Sequence, residues 1–388
     1  METINQFNSY VMGTYGRFDV VMESGENRVA TGEDEKKYID FGSGIGTNSL
    51  GFCDSDWVEA VCKQAKQIQH TSNYYYTKIQ ADFAKKLCEE TGYSKVFFGN
   101  SGAEANECAI KLARKYSFDK YGKGRHTIIT LVNSFHGRTL ATLSATGQDV
   151  FHNYFFPFVE GFKYAKANDI ADLNEKLDDT VCAIMVEFVQ GEGGVIPLDK
   201  EFVDEVAKIC KEKDLLFIAD EVQTGIGRTA KLLASQHYGV KPNVTTLAKG
   251  LAGGVPIGAC LADDSCCEVL SKGTHGSTFG GNPIACAGGY AVLNKVCADG
   301  FMESVEKKAQ YLWEKLSEID EVVSVSGKGL MIGMTLKTKT AADVCKACLD
   351  EGLLVLTAKE KLRLLPPLNI SFEEINAGLE ILKNVLSK

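Results

Sequence analysis

Between residues 79 and 261 the sequence alternates between helical periodicity and short apolar runs. The runs are apolar throughout, not at every second residue, which is typical of strands buried on both faces of a sheet. The predicted strands are 96–98, 127–132, 181–187, 215–219, 244–248 and 258–261. Helical patterns at 79–90, 103–116 and 202–213 separate several of them. The sequence therefore predicts an α/β fold with a mostly parallel sheet that helices cover on both sides.

The two ends of the chain have a different character. Residues 1–20 predict an irregular arm, and residues 29–41 carry a hairpin pattern. After Pro283, helical patterns are followed by strand patterns at 322–325, 330–336 and 353–356 and by a last helix at 372–387. We therefore predict three parts: 1–44 as the arm and part of a small α+β domain, 45–285 as the large domain, and 286–388 as the rest of the small domain.

Composition excludes several classes of protein. The formal net charge of −9 argues against a nucleic-acid-binding surface. The 13 cysteines are odd in number and lie mostly in apolar patterns, which indicates reduced thiols in a cytosol. Cys345 and Cys348 form a lone CxxC, which does not predict a metal site because structural zinc needs four ligands. The N-terminus shows neither a signal nor an import pattern, and no apolar run is long enough to span a membrane, so we expect a cytoplasmic protein.

One lysine stands out among the predicted strand ends. Lys249 closes the strand 244–248 and is followed by a glycine-rich turn at 250–254. Ligands of open α/β sheets bind at the carboxyl ends of the strands. A lysine held out of water there has a lowered pKa and can act as an amine nucleophile. The alternative is a solvated lysine at the end of a strand, which is the ordinary place for this residue.

A carboxylate follows the neighbouring strand signal. Asp220 comes directly after the strand 215–219, so it should face the same crevice as Lys249. A metal-binding aspartate or a helix cap would place the same residue there, but no phosphate-binding GxxxxGK[ST] motif is present. Residues 225–230 match GxGxxA and leave a nicotinamide oxidoreductase open as an alternative. They do not directly follow the strand, and that function gives Lys249 no role.

Three loops carry polar patterns that suit ligand binding. Residues 100–104, NSGAE, read equally well as a capping box from Ser101 to Glu104 or as a phosphate cup at a helix N-terminus. Residues 134–138, SFHGR, offer an aromatic ring for stacking and an arginine for a carboxylate, whereas His136 is best interpreted as a buried, hydrogen-bonded histidine. Residues 277–283 form a glycine-rich hydroxyl loop that could contact a second phosphate or be a plain turn.

The order of these motifs resembles that of fold-type-I pyridoxal-phosphate enzymes, and within them the class-III aminotransferases, over almost the whole chain. The matching segments are HTSN (70–73), FHGRT (135–139), QGEGG (190–194), DEVQTGIGRT (220–229), KGLAGGVPIGA (249–259) and HGSTFGGNP (275–283). Lys249 follows Asp220 by 29 positions. Among the family, the acetylornithine aminotransferases are the most similar group.

The resemblance implies a role for each matching position. Lys249 binds pyridoxal 5′-phosphate covalently and carries the proton, and Asp220 keeps the pyridine nitrogen protonated. The other implied cofactor contacts are the backbone of Gly102 and Ala103, the ring of Phe135, the amide of Gln223 and, in the neighbouring subunit, Thr278. The implied substrate contacts are Arg138 on the donor carboxylate, Ser277, and the pair Glu192 and Arg363, which opens so that the arginine can take the carboxylate of glutamate. No metal is implied.

The resemblance also implies the reaction and the assembly. The expected activity is transfer of the terminal amino group of N2-acetylornithine to 2-oxoglutarate in arginine biosynthesis, by a homodimer with shared active sites. Sister donors remain open: ornithine, succinylornithine, succinyl-diaminopimelate and 4-aminobutyrate. A pyridoxal-phosphate aminomutase or decarboxylase fits less well, because two carboxylate-binding arginines suit two alternating amino-acid substrates. The chain departs from the family at Ala103, Phe188 and Phe52, where relatives commonly have threonine, proline and histidine.

Overall fold

The computed structural model describes residues 2–388. The helices, in chain order, are α1 (Glu2–Tyr10), α2 (Ser43–Gly46), α3 (Ser55–Gln67), α4 (Lys78–Thr91), α5 (Gly102–Tyr121), α6 (Leu140–Ala145), α7 (Ile170–Lys176), α8 (Lys200–Lys213), α9 (Pro283–Val296), α10 (Phe301–Ser317), α11 (Ala341–Asp350) and α12 (Phe372–Ser387). The strands are β1 (Met22–Glu26), β2 (Val29–Gly32), β3 (Lys37–Asp40), β4 (Lys95–Gly99), β5 (Thr127–Leu131), β6 (Phe162–Ala165), β7 (Val181–Val186), β8 (Val189–Gln190), β9 (Ile196–Pro197), β10 (Leu216–Asp220), β11 (Val244–Leu247), β12 (Gly258–Ala262), β13 (Val322–Lys328), β14 (Met331–Leu336), β15 (Leu353–Leu354), β16 (Leu356–Ala358) and β17 (Lys361–Leu364).

A seven-stranded sheet forms the centre of the molecule, in the order β4-β12-β11-β10-β7-β5-β6. The pairs from β11 through β10, β7 and β5 to β6 are parallel, whereas β12 runs antiparallel to both of its neighbours. Every residue of β5, β7, β10, β11 and β12 is buried. The predicted mostly parallel sheet, covered on both faces, is therefore confirmed.

The register of two central strands places the candidate chemistry. Asp220 is the last residue of β10, and it pairs with Thr246 of β11. Lys249 lies three residues beyond Thr246, just after β11 ends at Leu247. Because the two strands are parallel, both functional side chains emerge at the same edge of the sheet, as the strand-end argument predicts.

Apolar side chains of helices on either side cover the sheet. Helix α5 places Cys108, Ala109 and Leu112 against one face, while α8 places Phe202 and Val206 in the core of the other. These residues recur at three- and four-residue spacing, so each helix buries a single stripe. The stripe of α5 keeps this helix, and with it the N-terminus at Gly102, fixed against the sheet edge that carries Asp220.

Two smaller four-stranded sheets lie outside the central one. The first has the order β1-β2-β3-β15 and joins three N-terminal strands to one C-terminal strand. The second has the order β13-β14-β17-β16 and contains C-terminal strands only. The division into parts at 44 and 285 stays a prediction. Among residues 2–388, no helix is both long enough and apolar enough to cross a membrane.

Several predicted elements differ from those observed. The predicted irregular arm contains α1, none of whose described residues is buried. The single strand predicted at 353–356 is two strands, because β15 pairs with β3 while β16 pairs with β17 in another sheet. Helix α5 continues to Tyr121 and ends at Gly122, which takes the left-handed φ of 76°. The strand β6 and the helices α6 and α7 were not predicted.

Candidate active site

A cavity of about 410 Å³ opens at the carboxyl edge of the central sheet. This volume suits a small-molecule ligand. Its walls contain eight of the predicted site residues, namely Gly102, Ala103, Phe135, Arg138, Glu192, Asp220, Gln223 and Lys249. Arg363 reaches the same wall through Glu192, whereas Ser277 and Thr278 do not line the cavity. The structure thus brings together residues that lie up to 261 positions apart in the chain.

The carboxylate of Asp220 is buried and held by three donors. Its Oδ2 accepts hydrogen bonds from Asn106 Nδ2 at 2.7 Å and from His136 Nδ1 at 2.8 Å, and its Oδ1 accepts from Val222 N at 3.0 Å. Asn106 is itself fixed, because its Oδ1 accepts from Thr246 Oγ1 at 2.6 Å. Charge-assisted bonds of this kind restrain the orientation of a carboxylate. The arrangement presents a pre-oriented anion to the cavity.

His136 is the buried, hydrogen-bonded histidine that the sequence suggested. Burial lowers the pKa of its imidazole, but the hydrogen bond and charge of Asp220 and the charge of Glu187 raise it by more, so the net shift is upward. Its backbone N donates to Thr146 Oγ1 at 2.9 Å, while its Nε2 has no partner within residues 2–388. A histidine that favours its charged form attracts the carboxylate of Asp220 and helps to hold it in place.

Lys249 lines the same cavity and has a strained backbone conformation. Its φ is 42°, in the left-handed region that non-glycine residues rarely adopt. Strain of this kind concentrates at functional sites. Burial lowers the pKa of the Lys249 ammonium; the carboxylates of Glu192 and Asp220 oppose this shift, whereas the guanidinium of Arg363 adds to it. More of this lysine is therefore a neutral amine at neutral pH than of an exposed one.

Glu187 is a site residue that the sequence analysis missed. It directly follows β7 and is 5% exposed. Its carboxylate accepts hydrogen bonds from Phe135 N at 2.9 Å and from Gly191 N at 3.4 Å. Burial raises the pKa of Glu187 to about 7, and the charge of Asp220 adds to the shift while that of His136 opposes it. The rule that singled out Asp220, a carboxylate at the end of a parallel strand, would also have found Glu187.

The N-terminus of α5 faces the cavity and forms half of the expected capping box. Ser101 Oγ accepts from Glu104 N at 3.2 Å, but Glu104 Oε2 accepts from Asn100 N at 2.6 Å instead of from Ser101 N. Helix geometry leaves the N–H groups of Gly102 and Ala103 without intrahelical partners. A Cβ at Gly102 would lie 2.8 Å from Val222 Cγ1, so any larger residue would require the Val222 side chain to move. The cup can therefore offer backbone donors and the positive helix end to an anion.

Two arginines lie at the cavity, and they differ in exposure and in hydrogen bonding. The guanidinium of Arg138 lies over the ring of Phe151 and is exposed, and it forms no hydrogen bond or ion pair with the part of the chain that is described. Arg363 is 3% exposed, and its Nη1 donates to Glu192 Oε1 at 2.6 Å and to Gln223 Oε1 at 3.3 Å. Burial alone would raise the pKa of Glu192, but the charge and hydrogen bonds of Arg363 hold this pKa below its ordinary value. One cation is available to a ligand and the other is masked.

The hydroxyl loop lies beside the cup but outside the cavity. Ser277 Oγ accepts from Asn100 Nδ2 at 3.2 Å and from Gly280 N at 2.9 Å. Asn73, in the segment just before three exposed tyrosines, donates from Nδ2 to Ser277 O at 3.1 Å and to Gly280 O at 2.8 Å. Thr278 is exposed. Both Ser277 and Thr278 thus lie on the surface of this chain and not in its own cavity.

The residues present fit pyridoxal phosphate. The cavity offers a half-buried amine with a lowered pKa, a held carboxylate that could pair with a protonated ring nitrogen, and a glycine-lined helix N-terminus for the phosphate. Phe135 supplies a ring for stacking. Within residues 2–388 no group of three or more His, Cys, Asp and Glu side chains is placed to hold a metal ion. The fold and the cavity together suit a pyridoxal-phosphate site.

Comparisons with known proteins give the family. A model of the aminotransferase class-III family matches residues 10–386. The acetylornithine aminotransferase of Haemophilus ducreyi is 51% identical over 382 residues, covering 98% of this chain and 97% of that protein. The ornithine aminotransferase structure from Toxoplasma gondii has a TM-score of 0.94 at 30% identity, and the match covers 100% of this chain and 94% of that one. The acetylornithine aminotransferase structure from Elizabethkingia anophelis has a TM-score of 0.88 at 33% identity, and the match covers 99% of this chain and 98% of that one. The chain belongs to the class-III aminotransferase family.

Class-III aminotransferases use pyridoxal phosphate. A second structure of the Toxoplasma enzyme is described with partial occupancy of this cofactor at its active site. The predicted cofactor and reaction class are therefore confirmed. The roles of individual residues of this chain stay predictions, which variants can test.

The first such variant concerns the cup. A Cβ at Gly258, the first residue of β12, would lie 2.0 Å from the carbonyl oxygen of Ser101. Gly258→Ala must therefore displace the N-cap of α5, and we expect cofactor affinity to fall by at least about tenfold, which corresponds to about 1.4 kcal/mol. Equilibrium dialysis against pyridoxal phosphate measures the change. Gly16→Ala is the matched control, because a Cβ there meets nothing within 4 Å; equal affinity in both variants would contradict the prediction.

Proposed function

We propose that this enzyme transfers the terminal amino group of N2-acetylornithine to 2-oxoglutarate, giving N-acetylglutamate 5-semialdehyde and glutamate in arginine biosynthesis. The masked state of Arg363 beside the available Arg138 is the observation that carries the proposal. The relatives named acetylornithine aminotransferase, at 51% identity and below, support the choice of donor.

The charges of the two arginines match the charges of the two substrates. N2-acetylornithine has one carboxylate, and Arg138 can bind it while Glu192 keeps Arg363 occupied. 2-Oxoglutarate has two carboxylates and needs a second cation. Separation of Glu192 from Arg363 supplies that cation, and Gln223, which also accepts from Arg363, lies beside the pair. A single site can thereby accept a monocarboxylate donor and a dicarboxylate acceptor in turn.

Lys249 and Asp220 have the two remaining roles, proton transfer and charge pairing with the cofactor. Pyridoxal phosphate, when bound, supplies an electron sink for the carbon that loses its proton. Lys249 Nζ takes that proton, which its lowered pKa favours because the amine is neutral more of the time. Asp220, held by Asn106 and His136, would pair with the protonated pyridine nitrogen of the cofactor. Phe135 would stack on the cofactor ring and help to exclude water.

We also propose a cytoplasmic homodimer with shared sites. Thr278 is exposed on a loop that Asn73 and Ser277 brace from within the same chain, so it is available to the phosphate of a neighbouring subunit. The abundance of free thiols supports a reducing compartment.

Ornithine is the second candidate donor, because the superposition on an ornithine aminotransferase has a TM-score of 0.94. The test is a titration of the cofactor-loaded enzyme, without keto acid, by N-acetylornithine, ornithine and 4-aminobutyrate. The absorbance band of the lysine-bound cofactor should be lost most efficiently, in rate per unit concentration, with N-acetylornithine. A higher efficiency with ornithine or 4-aminobutyrate would contradict the proposed donor and leave the aminotransferase assignment intact.

A further inference from the structure

We infer that Phe151 is a positioning residue for substrate recognition: its ring holds the guanidinium of Arg138 in the orientation that receives the carboxylate of the amino donor. The inference rests on the proposed function, in which Arg138 binds that carboxylate. No matching motif in the sequence includes Phe151, which lies in a loop 13 residues beyond Arg138.

The geometry is that of a cation stacked on an aromatic face. The Arg138 Cζ lies 4.0 Å from the centroid of the Phe151 ring and 5.5 Å from that of Phe135. The two rings contact each other edge to face, with centroids 5.8 Å apart and planes at 76°. The distance to Phe151 is the shorter one, so this ring is the principal support of the guanidinium.

Phe135 and Phe151 therefore have different tasks. Phe135 lines the cavity and has its backbone N fixed by Glu187. Phe151 is absent from the cavity wall and touches it through Arg138 and the edge of Phe135. A residue that acts on the ligand through another side chain positions that side chain and does not bind the ligand itself.

Positioning matters here because no hydrogen bond or ion pair with residues 2–388 restrains this guanidinium. Arg138 donates no hydrogen bond to residues 2–388, whereas Arg363 is fixed by Glu192 and Gln223. A free arginine side chain loses rotamer entropy when it is immobilised on binding. Stacking on Phe151 restricts the side chain before the substrate arrives and leaves all five N–H donors free for a two-pronged contact.

Phe151 is itself anchored to the segment that carries Arg138. It ends a short 3₁₀ turn in which its backbone N donates to Gln148 O at 3.0 Å. Gln148 Nε2 donates to Ser134 O at 3.0 Å, and Gly147 N donates to Ser134 Oγ at 3.0 Å. Ser134 directly precedes Phe135 in the loop that also contains Arg138. The ring and the cation are thereby attached to one rigid piece of the site.

The experiment compares Phe151→Leu with the parent enzyme, both loaded with pyridoxal phosphate, in the half-reaction with N-acetylornithine. Leucine keeps an apolar side chain of similar size but removes the aromatic face. We expect the half-saturating donor concentration to rise about three- to thirtyfold, with the maximal rate changed by less than about twofold. Phe151→Tyr retains the face and should restore the parent value.

Two controls separate positioning from general damage. Phe155→Leu changes an exposed ring of the same loop that has no contact with Arg138, and it should leave the half-saturating concentration unchanged. N-Acetyl-1,4-diaminobutane is N-acetylornithine without its carboxylate, so its second-order rate should be the same for Phe151→Leu and the parent.

The outcomes are decisive in either direction. The inference would be overturned if Phe151→Leu had the same half-saturating donor concentration as the parent enzyme. It would also be overturned if the second-order rate with the carboxylate-free amine fell as much as that with N-acetylornithine, because the effect would then not concern the carboxylate. If the parent enzyme shows no half-reaction with N-acetylornithine, the proposed donor is wrong. In that case the same comparison is made with ornithine and 1,4-diaminobutane, which differ by the same carboxylate.

Discussion

Replacing Lys249 by alanine will lower turnover by at least about four orders of magnitude. The same amine is expected to hold the cofactor and to move the proton, so no second residue replaces it. The left-handed φ of 42° at this position is no less favourable for alanine than for lysine. The replacement therefore adds no backbone strain, and the variant should fold. The measurements are turnover with N-acetylornithine and 2-oxoglutarate, and circular dichroism for the fold.

Lys272→Ala is the matched control, since Lys272 is an exposed lysine outside the cavity, and its turnover should equal that of the parent. The Lys249 variant should also lack the absorbance band of the lysine-bound cofactor while it still binds the cofactor non-covalently. Turnover within tenfold of the parent in Lys249→Ala would end the assignment of this residue.

Asp220→Asn will reduce turnover by about two to four orders of magnitude while the fold is retained. The amide has nearly the shape of the carboxylate, but it carries no charge. The single amide oxygen can still accept from Asn106 and His136. The amide nitrogen then faces the Val222 N–H, which loses its acceptor. The pKa of His136 should fall as well, because the carboxylate that raises it is gone. Steady-state turnover and an NMR titration of His136 measure the two effects.

Asp214→Asn provides the comparison for this charge. Asp214 also accepts from several donors, on Lys120, Tyr116 and Tyr121, but it lies at the far end of α5 from the cavity. Those hydrogen bonds hold the pKa of Asp214 at about 2 although burial opposes the shift. Its replacement should lower stability and leave turnover unchanged. A rate loss in Asp220→Asn no larger than that in Asp214→Asn would exclude a role for the Asp220 charge in the reaction.

The central sheet could be predicted from the sequence because its strands are buried on both faces. Such strands are continuous apolar runs, and their order along the chain with intervening helices leaves few topologies. Strand β6, whose residues are mostly half-buried, has no such run and was missed. The break between β15 and β16 could not be seen either, because residues 353–356 are one apolar run and the pattern does not show which sheet each strand joins.

The site could be predicted in part by the same logic and in part by resemblance. Strand ends alone placed Lys249 and Asp220 at one edge, and the resemblance supplied the other expected residues. What neither supplied were interactions between side chains distant in sequence. The pairing of Asn106 with Asp220, 114 positions apart, and the stacking of Arg138 on Phe151 depend on how α5 and the loop after β5 pack, which periodicity does not encode.

Glu187 links two walls of the cavity that the chain builds separately. Its carboxylate takes the backbone N–H of Phe135 on one side and that of Gly191, next to Glu192, on the other. Substitutions on the two walls are therefore not independent, since groups that share a buried hydrogen-bond partner depart from additivity. For a pocket of this kind, a change of donor preference would have to evolve through coordinated replacements on both walls, and the order in which they arise would decide which intermediates still fold and function.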